Sequence, residues 1–329
     1  MKGIYIFLSV IFIFSCKKKD SELIHNKFSG NIFGTYYNIQ FYDTKYVDYN
    51  NEIDSLFTVL NNSMSTYQSN SLISLINKGD KNIEVDIHFK NVFNTSKTVY
   101  EVTNGVFDPT IGDVVNAWSF GPKTENIKVD SVSIDSLMKA VGFDKVTLTS
   151  DNLIQKENST SYIDFNAIAK GYALDVIADF LNSKNHNNHL IDIGGEVLAK
   201  GTKPNKIYWK VGIDKPNFEG YQETQKVINL SDVAMATSGV YRKFKVGKDG
   251  KKYAHIINPK TGYPSKTNIL SVSVIAQNCM IADAYATAFQ IIGIEGTKTI
   301  LKQNKSLKVY FIYDDNGIVK TLTINDFPS

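Results

Sequence analysis

The stretch CMIADAYATAFQIIG, residues 279–293, constrains the fold more than any other part of the chain. It is small or apolar almost all the way round, and a helix of that kind has to be buried. A strand-like run, ILSVSVIAQN, leads directly into it. Two positions break the apolar pattern. Asp283 and Thr287 stand four apart, which on a helix puts a carboxylate and a hydroxyl one turn apart on one face. A buried carboxylate without a partner is costly. Oxygen ligands, one of them charged, suit a hard cation with room left for water and phosphate oxygens. A plain i,i+4 hydrogen bond within the helix is the alternative.

The other segments mix strand and helix periods without βαβ repetition, so the pattern predicts an α+β fold. GTYYNIQFY (34–42) reads as a strand rich in aromatic and β-branched residues. Ile53, Leu56, Phe57 and Leu60 fall at helical spacing, and residues 89–103 form a second amphipathic helix. MSTYQSNSLISLIN is a loop entering a short helix, with Ser69 or Asn70 as its cap. Residues 131–141 read as a further helix. IDFNAIAKGYALDVIADFLNS (163–183) starts as a strand or turn and becomes a helix near Ala167. HLIDIGGEVLAKG reads as a strand interrupted at Gly194-Gly195. LKVYFIYDDNGIVKTLTI reads as a closing hairpin that turns at Asp315-Asn316-Gly317. No internal repeat or low-complexity linker divides residues 31–329, which favours one unit with two lobes around a cleft.

The first residues are of another kind. Lys2 supplies a positive start, Ile4 to Phe14 is nearly all apolar, and IFSC ends at Cys16. The apolar run is too short for a spanning helix, which needs about 20 residues. It fits the h-region of a signal peptide. The ending has the form of a bacterial lipobox, with Cys16 lipidated as the new first residue. Residues 1–15 are thus expected to be a lipoprotein signal peptide and residues 16–30 a polar tether. Buried acyl chains contribute about 0.8 kcal/mol per CH₂, enough in combination to hold the domain on a membrane. The remaining cysteine, Cys279, then has no partner for an intramolecular disulfide.

Other chemistry is excluded by what is missing. A net charge of +3 is too small to imply nucleic acid, and no Lys/Arg run beyond the N-terminus suggests it. Five His and no C-x-x-C or H-E-x-x-H argue against zinc and haem. AIAKGYA sets Lys170 and Gly171 among small residues but lacks the full P-loop pattern, and there is no G-x-G-x-x-G. Gly194-Gly195 lets backbone approach closely or forms a bulge. His255 and Asn258 flank a turn in HIINPKTG.

Taken in order, FGTYYNI, MSTYQSNSLISLIN, FDPTIGDVVNAWSFGP, IDFNAIAKGYALD, LIDIGGEV, WKVGIDKP, ATSGVYRKF, HIINPKTGYP and ADAYATAF resemble the ApbE family, the FAD:protein FMN transferases. The resemblance runs from about residue 30 to about residue 320. It implies a single compact, T-fold-related α+β unit with two lobes around a flavin-binding cleft. It implies that Asp283 and Thr287 hold Mg²⁺, with the backbone carbonyl of Ala167 as a further ligand. Some members carry a carboxylate one residue before the threonine; here that position is Ala286, one charge fewer. Phe33, Tyr67, Trp118, Ser119, Phe120, Asp164, Lys170 and Ile257 match positions that contact FAD in the family. Phe33 stands where many members have Met.

The chemistry implied is a transfer. A Thr or Ser hydroxyl of an acceptor protein attacks the FMN-side phosphorus of FAD, and AMP leaves. His255 is the candidate for the hydroxyl proton, and Lys170 suits a phosphate oxygen. The family's acceptors carry a Ser/Thr-Gly-Ala-Thr-like motif. ATSGVY at 236–241 lacks the Ala-Thr ending, so this chain is not read as its own acceptor. The expected place is an exported, membrane-anchored lipoprotein on the periplasmic side of the inner membrane. The alternatives are a Mg²⁺-dependent FAD pyrophosphatase using the same residues, a non-catalytic FAD-binding lipoprotein, and a solute-binding lipoprotein with an unrelated ligand.

Overall fold

The structure is a computed structural model describing residues 22–123, 130–217, 223–240, 244–246 and 252–328. Cys16 and the signal segment lie outside the described residues. The framework is one antiparallel sheet whose eight strands lie side by side in chain order. They are β1 (Ile24–Ile32), β2 (Thr35–Asp43), β3 (His189–Ile193), β4 (Glu196–Lys200), β5 (Val233–Gly239), β6 (Ile269–Ala276), β7 (Lys308–Asp315) and β8 (Ile318–Ile324). Three of the neighbouring pairs are closed by tight turns, and everything else is inserted between strands.

Period-2 alternation sends side chains to two different covers. Ile191 and Ile193 of β3, Val272 and Val274 of β6, and Val309 and Phe311 of β7 join the main core. Leu190, Ile275, Tyr310 and Ile312 point the other way. There a hairpin of Trp209–Asp214 and Thr224–Leu230 covers them. Trp209 is fully buried in that layer, and its indole N–H donates to the Lys200 carbonyl at 3.0 Å.

Six helices are inserted between β2 and β3: α1 (Asn50–Met64), α2 (Leu72–Asn77), α3 (Ile87–Val102), α4 (Gly112–Ala117), α5 (Ser131–Met138) and α6 (Ala169–Ser183); of these α1, α2, α3 and α6 join the main core. α1 docks through Ile53, Phe57 and Leu60, as their spacing predicts. The segment α7 (Cys279–Leu301) lies between β6 and β7 and packs against α6 and the sheet. Its first part is buried on most sides, and Gly293 (φ 80°, ψ 176°) interrupts the helix where the apolar stretch ends. A smaller cluster of Val114, Ala117, Phe120, Ile134 and Ile257 joins α4 and α5 to the hairpin Ile257–Asn258/Tyr263–Pro264.

Three expectations are corrected. The polar tether does not reach residue 30, because Ile24–Ile32 is a strand paired along its whole length with β2. The cap of α2 is Ser71, whose hydroxyl accepts from the Ser74 N–H at 3.2 Å; its extended backbone (φ −67°, ψ 155°) suits an N-cap. The strand is interrupted at Gly194-Gly195 as expected, but by a hairpin turn and not a bulge. Ile193 pairs with Glu196 across a two-residue turn with φ of 59° and 96°, the left-handed geometry that favours glycine. The turn at Asn316-Gly317 has the same signs and is as expected. Cys279 is free and buried. No helix among the described residues is long and apolar enough to cross a membrane.

Candidate functional site

The segment Tyr162–Gly171 is the hub of the expected site. At its start, Tyr162 bridges to Ile111 and the Asp164 N–H donates to the Pro109 carbonyl at 2.8 Å. That fixes Asp164 beside the entry to α4. Tyr67, 62% exposed, stands near Asp164, whose charge adds to burial in raising the phenol pKa. Six residues of α4, at 1.5 Å each, span about 9 Å to Trp118 at its far end. Two exposed or half-exposed aromatics, Tyr67 and Trp118, therefore flank one short helix.

Trp118 is anchored by its indole N–H, which donates to the Gly262 carbonyl at 2.9 Å, and by an edge contact with Tyr263. Ser119 follows with φ of 58° and is exposed, and Phe120 turns back into the core. Phe120 meets His255 edge-on at 6.4 Å between ring centres. Ile257, buried, packs in the same cluster. The structure thus groups Trp118, Phe120, His255 and Ile257.

At its other end the hub becomes α6. The first turn of a helix leaves N–H groups without helical acceptors. The Gly171 N–H finds one on the neighbouring helix: Asp283 Oδ2 accepts from it at 2.9 Å. In a helix begun earlier, that N–H would bond to the Ala167 carbonyl four residues back. Here it is diverted to Asp283, and no hydrogen bond to the Ala167 carbonyl occurs among the described residues. Close approach makes this possible. A Cβ at Gly171 would stand 2.4 Å from the Cys279 carbonyl oxygen and 2.8 Å from Asp283 Cβ.

Asp283 is 7% exposed. Burial raises its carboxyl pKa, against the pull of the Lys170 ammonium and the Gly171 N–H. Lys170 Nζ lies 2.5 Å from Glu196 Oε2, and Glu196 is buried. Sequence reasoning missed Glu196. Its signal was there: a carboxylate directly after Gly-Gly, opening the otherwise apolar run VLA. Thr287, half-buried, stands one turn beyond Asp283 on α7. Phe33 occupies the β1–β2 turn at φ 52°, 39% exposed, edge-on to Phe57 at 5.6 Å. That turn abuts the Gly194 turn, where the Gly194 N–H donates to the Tyr36 carbonyl at 3.0 Å. Glu196 follows two residues later, so Phe33 and Lys170 approach one end of the sheet together.

No three His, Cys, Asp or Glu side chains among the described residues form a metal-holding group. The oxygens that the resemblance names are of mixed kind: the Asp283 carboxylate, the Thr287 hydroxyl and the Ala167 carbonyl, which accepts no hydrogen bond among the described residues. That set fits a hard cation that keeps several waters or phosphate oxygens.

A chain with this sheet, this helix-to-helix carboxylate contact and these aromatics belongs to the ApbE family, whose sequence profile matches residues 33–311. The FAD:protein FMN transferase of Vibrio cholerae is 32% identical over 94% of this chain and 93% of its own length. That of Haemophilus influenzae is 31% identical over 97% of this chain and 94% of its own. The solved flavin transferase ApbE from Vibrio cholerae superposes with a TM-score of 0.82 at 30% identity. It covers 92% of this chain and 97% of that one.

Proposed function

We propose that this chain transfers FMN from FAD to a Thr or Ser hydroxyl of an acceptor flavoprotein with a Ser/Thr-Gly-Ala-Thr-like motif. AMP is released. The observation that carries the reading is the meeting of Asp283, Lys170 and the start of α6 at one end of a hub whose other end holds Tyr67 and leads through α4 to Trp118. In this reading the first end handles phosphate and the second leads to the aromatic residues. The acceptor oxygen forms a bond to the FMN-side phosphorus, the bond from that phosphorus to the bridging oxygen breaks, and AMP leaves with that oxygen.

In this reading Tyr67, Trp118, Ser119, Phe120, Phe33 and Ile257 hold the flavin half, and Asp164 fixes its polar edge. Lys170, steadied by Glu196, pairs with a phosphate oxygen as a point charge. His255 takes the proton of the attacking hydroxyl. Asp283, Thr287 and the Ala167 carbonyl would hold Mg²⁺, which when bound neutralises charge on the bridging and leaving oxygens. Lipidated Cys16 anchors the exported domain on the periplasmic side of the inner membrane.

The test is incubation with FAD, Mg²⁺ and an acceptor bearing the motif. Intact mass should show the acceptor gaining one FMN as a phosphoester, and nucleotide analysis should show an equal amount of AMP. Free FMN and AMP with an unmodified acceptor would make the chain a pyrophosphatase. Bound but unconsumed FAD would make it a carrier. In cells expressing the full chain, the Cys16→Ala protein should leave the detergent phase; unchanged partitioning would mean that the anchor lies elsewhere.

Trp118→Ala is expected to weaken FAD binding about tenfold, the upper range of what an aromatic pair contributes. Trp118→Phe, which keeps a ring but loses the bond to Gly262, should fall between. Flavin fluorescence titration reads both, and an unaltered affinity in the alanine variant removes Trp118 from the site.

A further inference from the structure

Asp283 does not set its own position; α7 has to be held against α6 for its carboxylate to reach Gly171. One polar contact between the two helix starts comes from a residue the reaction does not use. Asp175 lies one turn after Gly171 on α6. Its Oδ1 accepts from the Cys279 N–H at 2.7 Å and its Oδ2 from the Met280 N–H at 2.9 Å. These are the first two N–H groups of α7. The third, Ile281, is met by the Asn278 side chain at 3.0 Å. The two helices therefore cap each other: a carboxylate of α6 takes the start of α7, and a carboxylate of α7 takes the start of α6. Cys279 is the shared point, since its carbonyl is also what Gly171 packs against.

We infer that Asp175 is a positioning residue for Asp283, fixing the register of α7 on α6 so that the Asp283 carboxylate meets the Gly171 N–H and presents its remaining oxygen to the phosphate end of the site. The link to catalysis rests on the proposed FMN transfer. The link to geometry does not. Asn278 supplies the control, because the hydrogen bond by which it caps the same helix stays within that helix start.

The full chain is compared with its Asp175→Asn and Asn278→Ala variants. Asparagine keeps one acceptor for the two N–H groups and loses the charge. Amide hydrogen exchange, read on the peptide containing Gly171 with and without Mg²⁺, should be about tenfold faster in Asp175→Asn and unchanged in Asn278→Ala. Transfer turnover should drop about tenfold or more in Asp175→Asn, with the KM for FAD within about threefold of wild type. Asn278→Ala should lose thermal stability, as proteins that lose a helix cap do, and keep its turnover. Wild-type protection of Gly171 in Asp175→Asn overturns the inference. So does lost protection with wild-type turnover, or an equal loss of turnover in Asn278→Ala. Wild-type transfer that ignores Mg²⁺ defeats the metal reading alone, and the exchange result still decides the role of Asp175. Absence of any transfer in the wild type defeats the functional reading and with it the catalytic half of this inference, leaving the geometric half to the same exchange measurement.

Discussion

Gly171→Ala is expected to be severely damaging, because the methyl it adds would meet backbone. The new Cβ would meet the Cys279 carbonyl carbon at 2.7 Å and its oxygen at 2.4 Å. Neither can rotate away as a side chain would, so α6 and α7 have to separate. Overpacking of this kind costs about 1–3 kcal/mol, and a backbone obstacle puts the cost toward the top of that range. The larger effect should be on activity. Separation breaks the Gly171–Asp283 bond and moves the carboxylate off the hub, so transfer should fall further than the folded fraction does. Denaturant unfolding gives the first quantity and turnover per folded molecule the second. A variant as stable and as active as wild type would mean that the two helices are not this close.

Asp283→Asn is expected to separate stability from activity more completely. The substitution keeps an acceptor oxygen for the Gly171 N–H and removes a charge whose burial already raises its pKa. A buried charge costs more to desolvate than a neutral amide of the same shape, and Lys170 retains Glu196 as its partner. The melting temperature should hold or rise. Transfer should fall by about a hundredfold or more, the scale seen when one electrostatic group of an active site is removed. FAD affinity should change far less, because the aromatic end of the hub is untouched. EDTA on the wild type should reproduce the loss, and added Mg²⁺ should reverse it. Retained transfer in a folded Asp283→Asn protein, or in EDTA, would leave Asp283 as a structural carboxylate.

The strongest elements were legible because one period dominated them. The buried stretch at 279–293, the α1 spacing and the closing hairpin all stand where the pattern put them. β1 was hidden by one polar residue. Asn26 points inward at a position where an apolar side chain would have shown the alternation. It is fully buried because its side chain is satisfied by the Val47 N–H at 2.8 Å and the Lys45 carbonyl at 3.2 Å. No local signal announces partners some twenty residues away. The same limit applies at the site. Asp283 and Thr287 are read from one helix, whereas Glu196 and Asp175 gain their meaning from α6 lying across β4 and α7, a juxtaposition no spacing encodes. Gly171 could be seen as small but not as obligatory, since the obstacle it avoids is a carbonyl over a hundred residues away.

The chain-order sheet also fixes where this protein can change length. β2 and β3 are neighbours although residues 44–188 separate them. The entropy of closing a flexible loop grows only logarithmically, about 0.6 kcal/mol for each doubling. A few residues added at an exposed point of that long excursion would cost the sheet almost nothing. Much of the expected site, from Tyr67 to Lys170, is carried there, so its surroundings can be remodelled by insertion while the strands stay paired. The two-residue turn at Gly194-Gly195 allows no such freedom, because the register of β3 with β4 passes through it.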